Sequence, residues 1–89
     1  MDENISSLNA FPNPTPGKLT ISFVSNSNTK YRMKVVNVIG SIIIDESISA
    51  IEGINTHDVN LENVAKGLYF LSLQADGAEA KTLRIEIDK

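Results

Sequence analysis

Tyr69-Phe70-Leu71-Ser72-Leu73-Gln74-Ala75-Asp76-Gly77-Ala78-Glu79-Ala80-Lys81-Thr82-Leu83-Arg84-Ile85-Glu86-Ile87 reads as two strands and the turn that joins them. Tyr69, Leu71 and Leu73 alternate with Phe70, Ser72 and Gln74. Lys81, Leu83, Ile85 and Ile87 alternate in the same way with Thr82, Arg84 and Glu86. Successive side chains on a strand point to opposite faces, so each run carries one mostly apolar face and one more polar face. Asp76-Gly77 between them is the strongest hairpin signal in the chain, because such turns need positive φ, which Gly adopts freely.

The same period extends toward the N-terminus. Tyr31, Met33 and Val35 alternate with Arg32 and Lys34, and the pattern slips at Val35-Val36, as at a bulge or a doubly buried position. Leu19, Ile21 and Phe23 alternate with Thr20 and Ser22, and Ser25 to Thr29 is a polar turn. Asn37 to Gly40 reads as a turn, and Ser41 to Ser47 as a short apolar strand ending in acidic residues. Ile48 to Asn60 is less regular: Gly53 breaks it, and Ile54, Val59 and Leu61 are its expected anchors. Leu61 to Gly67 is expected to close one helical turn with Gly67 as its C-cap.

An apolar segment from Ile5 to Phe11 runs into Pro12-Asn13-Pro14-Thr15-Pro16-Gly17. Prolines so close cannot sit inside a ladder, since each lacks an N–H, so this is a rigid lead-in that turns at Gly17. Gly17, Gly40, Gly67 and Gly77 are candidates for positive φ. About seven short strands, with a turn every 8–12 residues, predict an all-β antiparallel two-sheet sandwich without a helix longer than about two turns.

Eighty-nine residues suit one domain. Residues 8–89 form it, and residues 1–7 read as an added start and linker remnant, with Met1-Asp2-Glu3 at its head. The apolar fraction of 42% lies above that of disordered chains. No cysteine is present, which excludes disulfides, thiolate metal sites and a cysteine nucleophile. The net charge is −3 and the basic residues are scattered along the sequence, so nucleic acid is not an expected partner. The longest apolar runs are far short of the ~20 residues a membrane-spanning helix needs, so no membrane insertion is expected. No signal peptide opens the chain, which fits either a cytoplasmic protein or a segment of a longer exported precursor.

Candidate chemistry is sparse. His57 is the only histidine, and its neighbour Asp58 would point to the opposite face of a strand, out of place for a Ser-His-Asp relay. Asp45, Glu46, Asp58, Asp76 and Asp88 make no calcium-loop pattern and read as solvated turn and edge carboxylates. Phe11, Phe23, Tyr31, Tyr69 and Phe70 are the aromatic candidates for a sugar platform; Phe23 and Tyr69 fall in core registers, while Phe70 points the other way. Asn4-Ile5-Ser6 fits a glycosylation sequon by pattern alone. The residues thus indicate no catalytic site, no metal and no cofactor.

The order of glycines, prolines and asparagines carries more information. Phe11-Pro12-Asn13-Pro14, then Gly17 and Leu19-Thr20-Ile21, resembles the opening of the type A sorting domains found at the C-terminus of type IX secretion cargo proteins. Val35-Val36-Asn37-Val38-Ile39-Gly40 is similar to that family's middle strand and glycine. Gly53-Ile54-Asn55, Val59-Asn60-Leu61 and Ala65-Lys66-Gly67-Leu68-Tyr69-Phe70 follow in the family's order, and Lys81 precedes the final strand. Two positions depart from the common pattern: Asn37 stands where Asp is usual, and Val64 where Leu is usual.

The resemblance implies an immunoglobulin-like sandwich with Pro12, Asn13, Pro14, Gly17, Gly40, Gly53, Gly67 and Tyr69 as structural motif residues. It implies a non-catalytic sorting signal that takes an N-terminal cargo through the periplasm and across the outer membrane of a Gram-negative bacterium. The implied partners are the type IX translocon and its shuttle proteins, and a sortase-type peptidase that removes the domain and attaches the cargo to the cell surface. Lys81, Arg84, Glu86, Asp88 and Lys89, on the last strand and its tip, are the candidate recognition residues. That strand, if it lies at a sheet edge, is expected to offer unpaired backbone groups and a free end to a receptor. An adhesive or carbohydrate-binding sandwich module of a secreted enzyme is the alternative, since fold alone does not separate the two.

Overall fold

The computed structural model describes residues 5–89, with side chains described from Leu8 onward. Residues 1–4, which include Met1-Asp2-Glu3 and the sequon residue Asn4, lie outside the described part. Seven strands follow one another: β1 (Ile5–Phe11), β2 (Lys18–Ser25), β3 (Thr29–Asn37), β4 (Ile42–Ala50), β5 (Gly53–Asn60), β6 (Gly67–Ala75) and β7 (Lys81–Ile87). They form a three-stranded sheet in the order β1-β2-β5 and a four-stranded sheet in the order β4-β3-β6-β7. All neighbours pair antiparallel. This is an immunoglobulin-like sandwich in which the fourth strand joins β3; the constant-type arrangement instead pairs it with the strand equivalent to β5.

The period-2 pattern forms the core. Leu19, Ile21 and Phe23 of β2 and Val59 of β5 are buried from one sheet. Tyr31, Met33 and Val35 of β3, Leu71 and Leu73 of β6, and Ile85 and Ile87 of β7 are buried from the other. Phe23 and Tyr31 meet across the sandwich with ring centroids 5.1 Å apart and planes tilted by 59°. The Tyr31 hydroxyl donates to Ser25 Oγ at 2.8 Å, so the one polar atom that the ring carries inward has a partner. The slip at Val35-Val36 is a register shift: Val35 lies opposite Ile44 and Val36 opposite Ile42, leaving Ile43 as the extra residue.

Three expectations need correction. The strand after Gly40 runs from Ile42 to Ala50, past the expected end at Ser47, because Ile48 and Ala50 continue the inward register. Ile54 is not an anchor. It pairs with Val24 on the outer side of its sheet and is 72% exposed, whereas Val59 and Leu61 are buried. Leu61 to Gly67 forms no helical turn. The segment opens with a β-turn, Val64 N–H donating to Leu61 O at 3.3 Å, and Gly67 begins β6 with φ of 146°.

The registers define two poles. Ser25, Ala50, Gly53 and Ala75 lie at one pole, with the Ile5 end of β1. Gly17, the β3–β4 turn, residues 61–66 and the end of β7 lie at the other. No helix among the described residues is long and apolar enough to cross a membrane.

Candidate functional site

The proline-rich lead-in is laid along the outer edge of β7. Phe11-Pro12 and Asn13-Pro14 are both cis peptides. Between the prolines, the Asn13 side chain stands in for a strand residue: Nδ2 donates to Arg84 O at 2.8 Å, and Oδ1 accepts the Glu86 N–H at 3.0 Å. Thr15 completes the pairing as a parallel bridge to Ile87. Its N–H donates to Glu86 O at 2.9 Å, and its carbonyl accepts the Asp88 N–H at 2.8 Å. The buried Thr15 hydroxyl donates to Lys18 O at 2.7 Å and accepts the Gly17 N–H at 3.0 Å. Prolines flanking Asn13 and Thr15 lack the N–H groups that would otherwise need partners, so the two polar residues bond and the prolines space them.

Gly17 then turns the chain into β2. Its carbonyl accepts the Leu61 N–H at 2.6 Å, and its φ is 142°. A Cβ at this position would lie 2.9 Å from Glu62 Cα and 3.1 Å from Glu62 Cγ. From the far side, Lys89 Nζ donates to Glu62 O at 2.7 Å and to Val64 O at 2.5 Å. The buried Tyr69 sends its hydroxyl back to Ala65 O at 2.7 Å, a tyrosine corner at the start of β6. Lead-in, 61–66 loop and C-terminal tip are therefore tied into one knot at one pole.

The other motif residues also build turns. Asn37 Oδ1 accepts the Ile39 and Ser41 N–H groups at 3.2 and 2.9 Å, while Gly40 N–H donates to Asn37 O at 3.0 Å. Both side-chain bonds use only the oxygen, so an aspartate would serve equally, which explains why Asn37 is a mild departure. Asn55 Oδ1 accepts the Ile51 N–H at 3.0 Å, and its Nδ2 donates to the carbonyls of Ile51 and Gly53. Asn60 Oδ1 accepts the Glu62 N–H at 2.9 Å. Gly53 lies at the opposite pole from Gly17, Gly40 and Gly67.

The candidate recognition residues divide. Arg84 and Glu86 are exposed on the outer side of β7, Lys81 is half-buried at its start, and Asp88 is exposed just past its end. Two expectations about this strand fail. It does lie at a sheet edge, but its edge groups from Arg84 O to Asp88 N are already bonded to Asn13 and Thr15. The tip is not loose either, since the Lys89 ammonium holds two loop carbonyls. Sequence reading missed this because every bond joins distant positions: Asn13 and Arg84 are 71 residues apart, and Lys89 is 27 residues from Glu62.

His57 and Asp58 do face apart. His57 Nε2 lies 3.2 Å from Glu46 Oε1, whereas Asp58 Oδ1 accepts the Thr20 hydroxyl at 3.0 Å on the outer face of its sheet. Asp45 accepts two hydrogen bonds from Arg32, at 2.7 and 3.0 Å, and these bonds hold its carboxyl below the ordinary aspartate range. Of the aromatics, Phe23, Tyr31 and Tyr69 are buried, Phe70 is half-buried, and Phe11 is 51% exposed. Phe11 lines a shallow cleft with Pro12, Lys18, Thr20, Asp58 and Asn60.

An immunoglobulin-like sandwich whose proline lead-in is stapled to its last strand defines a class of domain built around its own two ends. The family model of the secretion system C-terminal sorting domain matches residues 9–87, and the chain belongs to that family. The family is that of type IX secretion sorting signals, which act on a cargo joined at their N-terminal side and direct its secretion across the outer membrane of Gram-negative bacteria. A search of curated proteins found no match.

Proposed function

We propose that this domain is an address label without catalysis of its own. It is read in the periplasm by the type IX shuttle and translocon proteins, and it leads its cargo through the outer membrane. A sortase-type peptidase then cuts ahead of the domain and attaches the cargo to the cell surface. The family match over residues 9–87 is the observation that carries this reading. The placement of the ends supports it: the Ile5 end of β1 lies at the pole opposite the Asn13–Lys89 knot. A cargo joined ahead of β1, and a peptidase working there, would therefore meet the domain at the pole away from the knot. His57, Asp58 and Asp45 are taken up by structural partners, in keeping with a label rather than a catalyst.

The test uses the full precursor in a host with a working type IX system. Removing residues 8–89 should leave the cargo soluble in the periplasm, while the intact precursor yields surface-attached cargo lacking the domain. Normal surface delivery without the domain would defeat the sorting reading. Delivery with the domain still joined to the cargo would defeat the cleavage step alone.

A further inference from the structure

The outer side of an antiparallel sheet that faces water ordinarily carries polar residues. The outer side of the β1-β2-β5 sheet conforms near the lead-in pole, where Thr20 lies opposite Asp58 and Ser22 opposite Thr56. The outer side of the β4-β3-β6-β7 sheet does not. Ile42 lies opposite Val36, Val36 opposite Phe70, and Phe70 opposite Arg84, so one row crosses all four strands with three apolar side chains in succession. Leu68, on the same side of β6, continues it toward the pole. Ile42 is 56% exposed, and the β3–β4 turn adds Val38 at 66% and Ile39 at 82%. The core lies on the other side of the sheet, so core packing does not account for these residues.

Charge marks the same face. Lys30, Arg32 and Lys34 share the outer side of β3, and Arg84 ends the apolar row on β7. Asp45 and Glu86 are the carboxylates on the outer side of these four strands, and Asp45 is engaged by Arg32. The face is thus locally basic on a chain whose net charge is −3. Large exposed apolar patches rimmed by polar groups mark interaction surfaces, and a charged rim steers the complementary partner.

We infer that the apolar row Ile42–Val36–Phe70, with Lys34 and Arg84 beside it, docks a protein surface that has an apolar centre and carboxylates at its rim. This rests on the sorting reading, and it places that surface on a component of the secretion machinery. The β7 edge from Arg84 O to Asp88 N is not the docking element, because Asn13 and Thr15 already bond it.

The experiment uses the full precursor, with surface delivery and the melting temperature of the purified domain read in parallel. Lys34→Glu with Arg84→Glu should cut delivery tenfold or more, and Ile42→Ser severalfold, with melting temperatures within a few degrees of the parent. Lys34→Gln with Arg84→Gln should give a smaller loss, and Lys18→Glu with Thr56→Glu, on the other sheet, should leave delivery unchanged. Parental delivery by the folded charge-reversed variant would overturn the docking face, provided that removal of residues 8–89 still blocks delivery. Delivery that survives that removal would overturn the sorting reading itself. A purified domain that dimerises, and loses the dimer on Ile42→Ser without losing delivery, would make the face a contact between copies and overturn the assignment.

Discussion

Asn13 is a side chain doing a backbone's work: one donor and one acceptor, spaced like a strand residue, meet the carbonyl of Arg84 and the amide of Glu86. Asn13→Ala removes both bonds and leaves the Glu86 N–H without that acceptor. The loss should be about 1–2 kcal/mol, with faster amide exchange at Glu86 than at Leu71, which pairs on both sides within the sheet. Equal exchange rates before and after the substitution would show that the staple contributes nothing. Gly17 and Gly67 share an unusual φ, 142° and 146°, but only Gly17 also lacks room for a Cβ. Gly67→Ala should therefore cost backbone strain alone, about 1–3 kcal/mol. Gly17→Ala should cost more, lowering Tm by at least about 10 °C for a domain of this size, because Glu62 must move. Asp45 supplies a pH test. Its folded carboxyl titrates below its unfolded value because Arg32 hydrogen-bonds the charged form. The pair's contribution is therefore fully present above the unfolded value and is lost as pH falls through the folded one. Asp45→Asn should flatten that acid limb slightly and leave stability near neutral pH almost unchanged, as expected for an exposed pair. Glycine and proline positions were legible in the sequence because their conformational limits are local. The partners of Asn13 were not, because nothing local states which distant strand it will meet.

At the scale of the element, legibility follows burial. β2, β3, β6 and β7 each press one face into the core, and that one-sided burial is what writes the alternation into the sequence. β4 and β5 end their respective sheets, and few of their side chains reach the core. Ile42-Ile43-Ile44 reads as a continuous run because the bulge opposite Val35-Val36 breaks its phase. Ile54 looks like an anchor because it is apolar, but the register sets it beside Val24 on the wet side. Sparse burial, with Val59 the one buried side chain of β5, thus explains why the segment from Ile48 to Asn60 carries no clear alternation. A direct comparison follows. Ile54→Thr should change stability by no more than about 0.5 kcal/mol, while Val59→Ala, at a buried site of the same strand, should cost about 2 kcal/mol. Denaturant midpoints measured at constant slope decide it, and a large effect at Ile54 would mean that its exposed face is covered in solution. Leu61 to Gly67 reads as a helical turn in sequence because Gly67 resembles a C-cap. Instead, Asn60, the Lys89 ammonium and the Tyr69 hydroxyl satisfy its backbone groups, and no helix is needed.

For the molecule as a whole, the first and last strands lean on each other at one pole, so the signal and the fold are hard to separate. Ile87 is buried, Asp88 N–H bonds Thr15, and Lys89 braces the loop that Gly17 leans on. Removing Ile87-Asp88-Lys89 therefore takes out a core side chain and both ties at once. The buried Ile87 alone accounts for about 2–5 kcal/mol, a large share of the stability of a small domain. Such a truncated domain should be substantially unfolded at growth temperature, and its cargo should remain in the periplasm for that reason. Two smaller changes separate the causes. Lys89→Ala breaks only exposed bonds, so the domain should stay folded and deliver its cargo normally. Removing Asp88-Lys89 keeps Ile87 in the core but cuts the Thr15 bond, so delivery should fall only as far as the folded fraction falls, and should recover at lower growth temperature. A block that persists in a fully folded Asp88-Lys89 deletion would mean that the tip itself is read. Recovery with temperature would mean that the machinery reads a folded surface, and that the last residues matter because they close it.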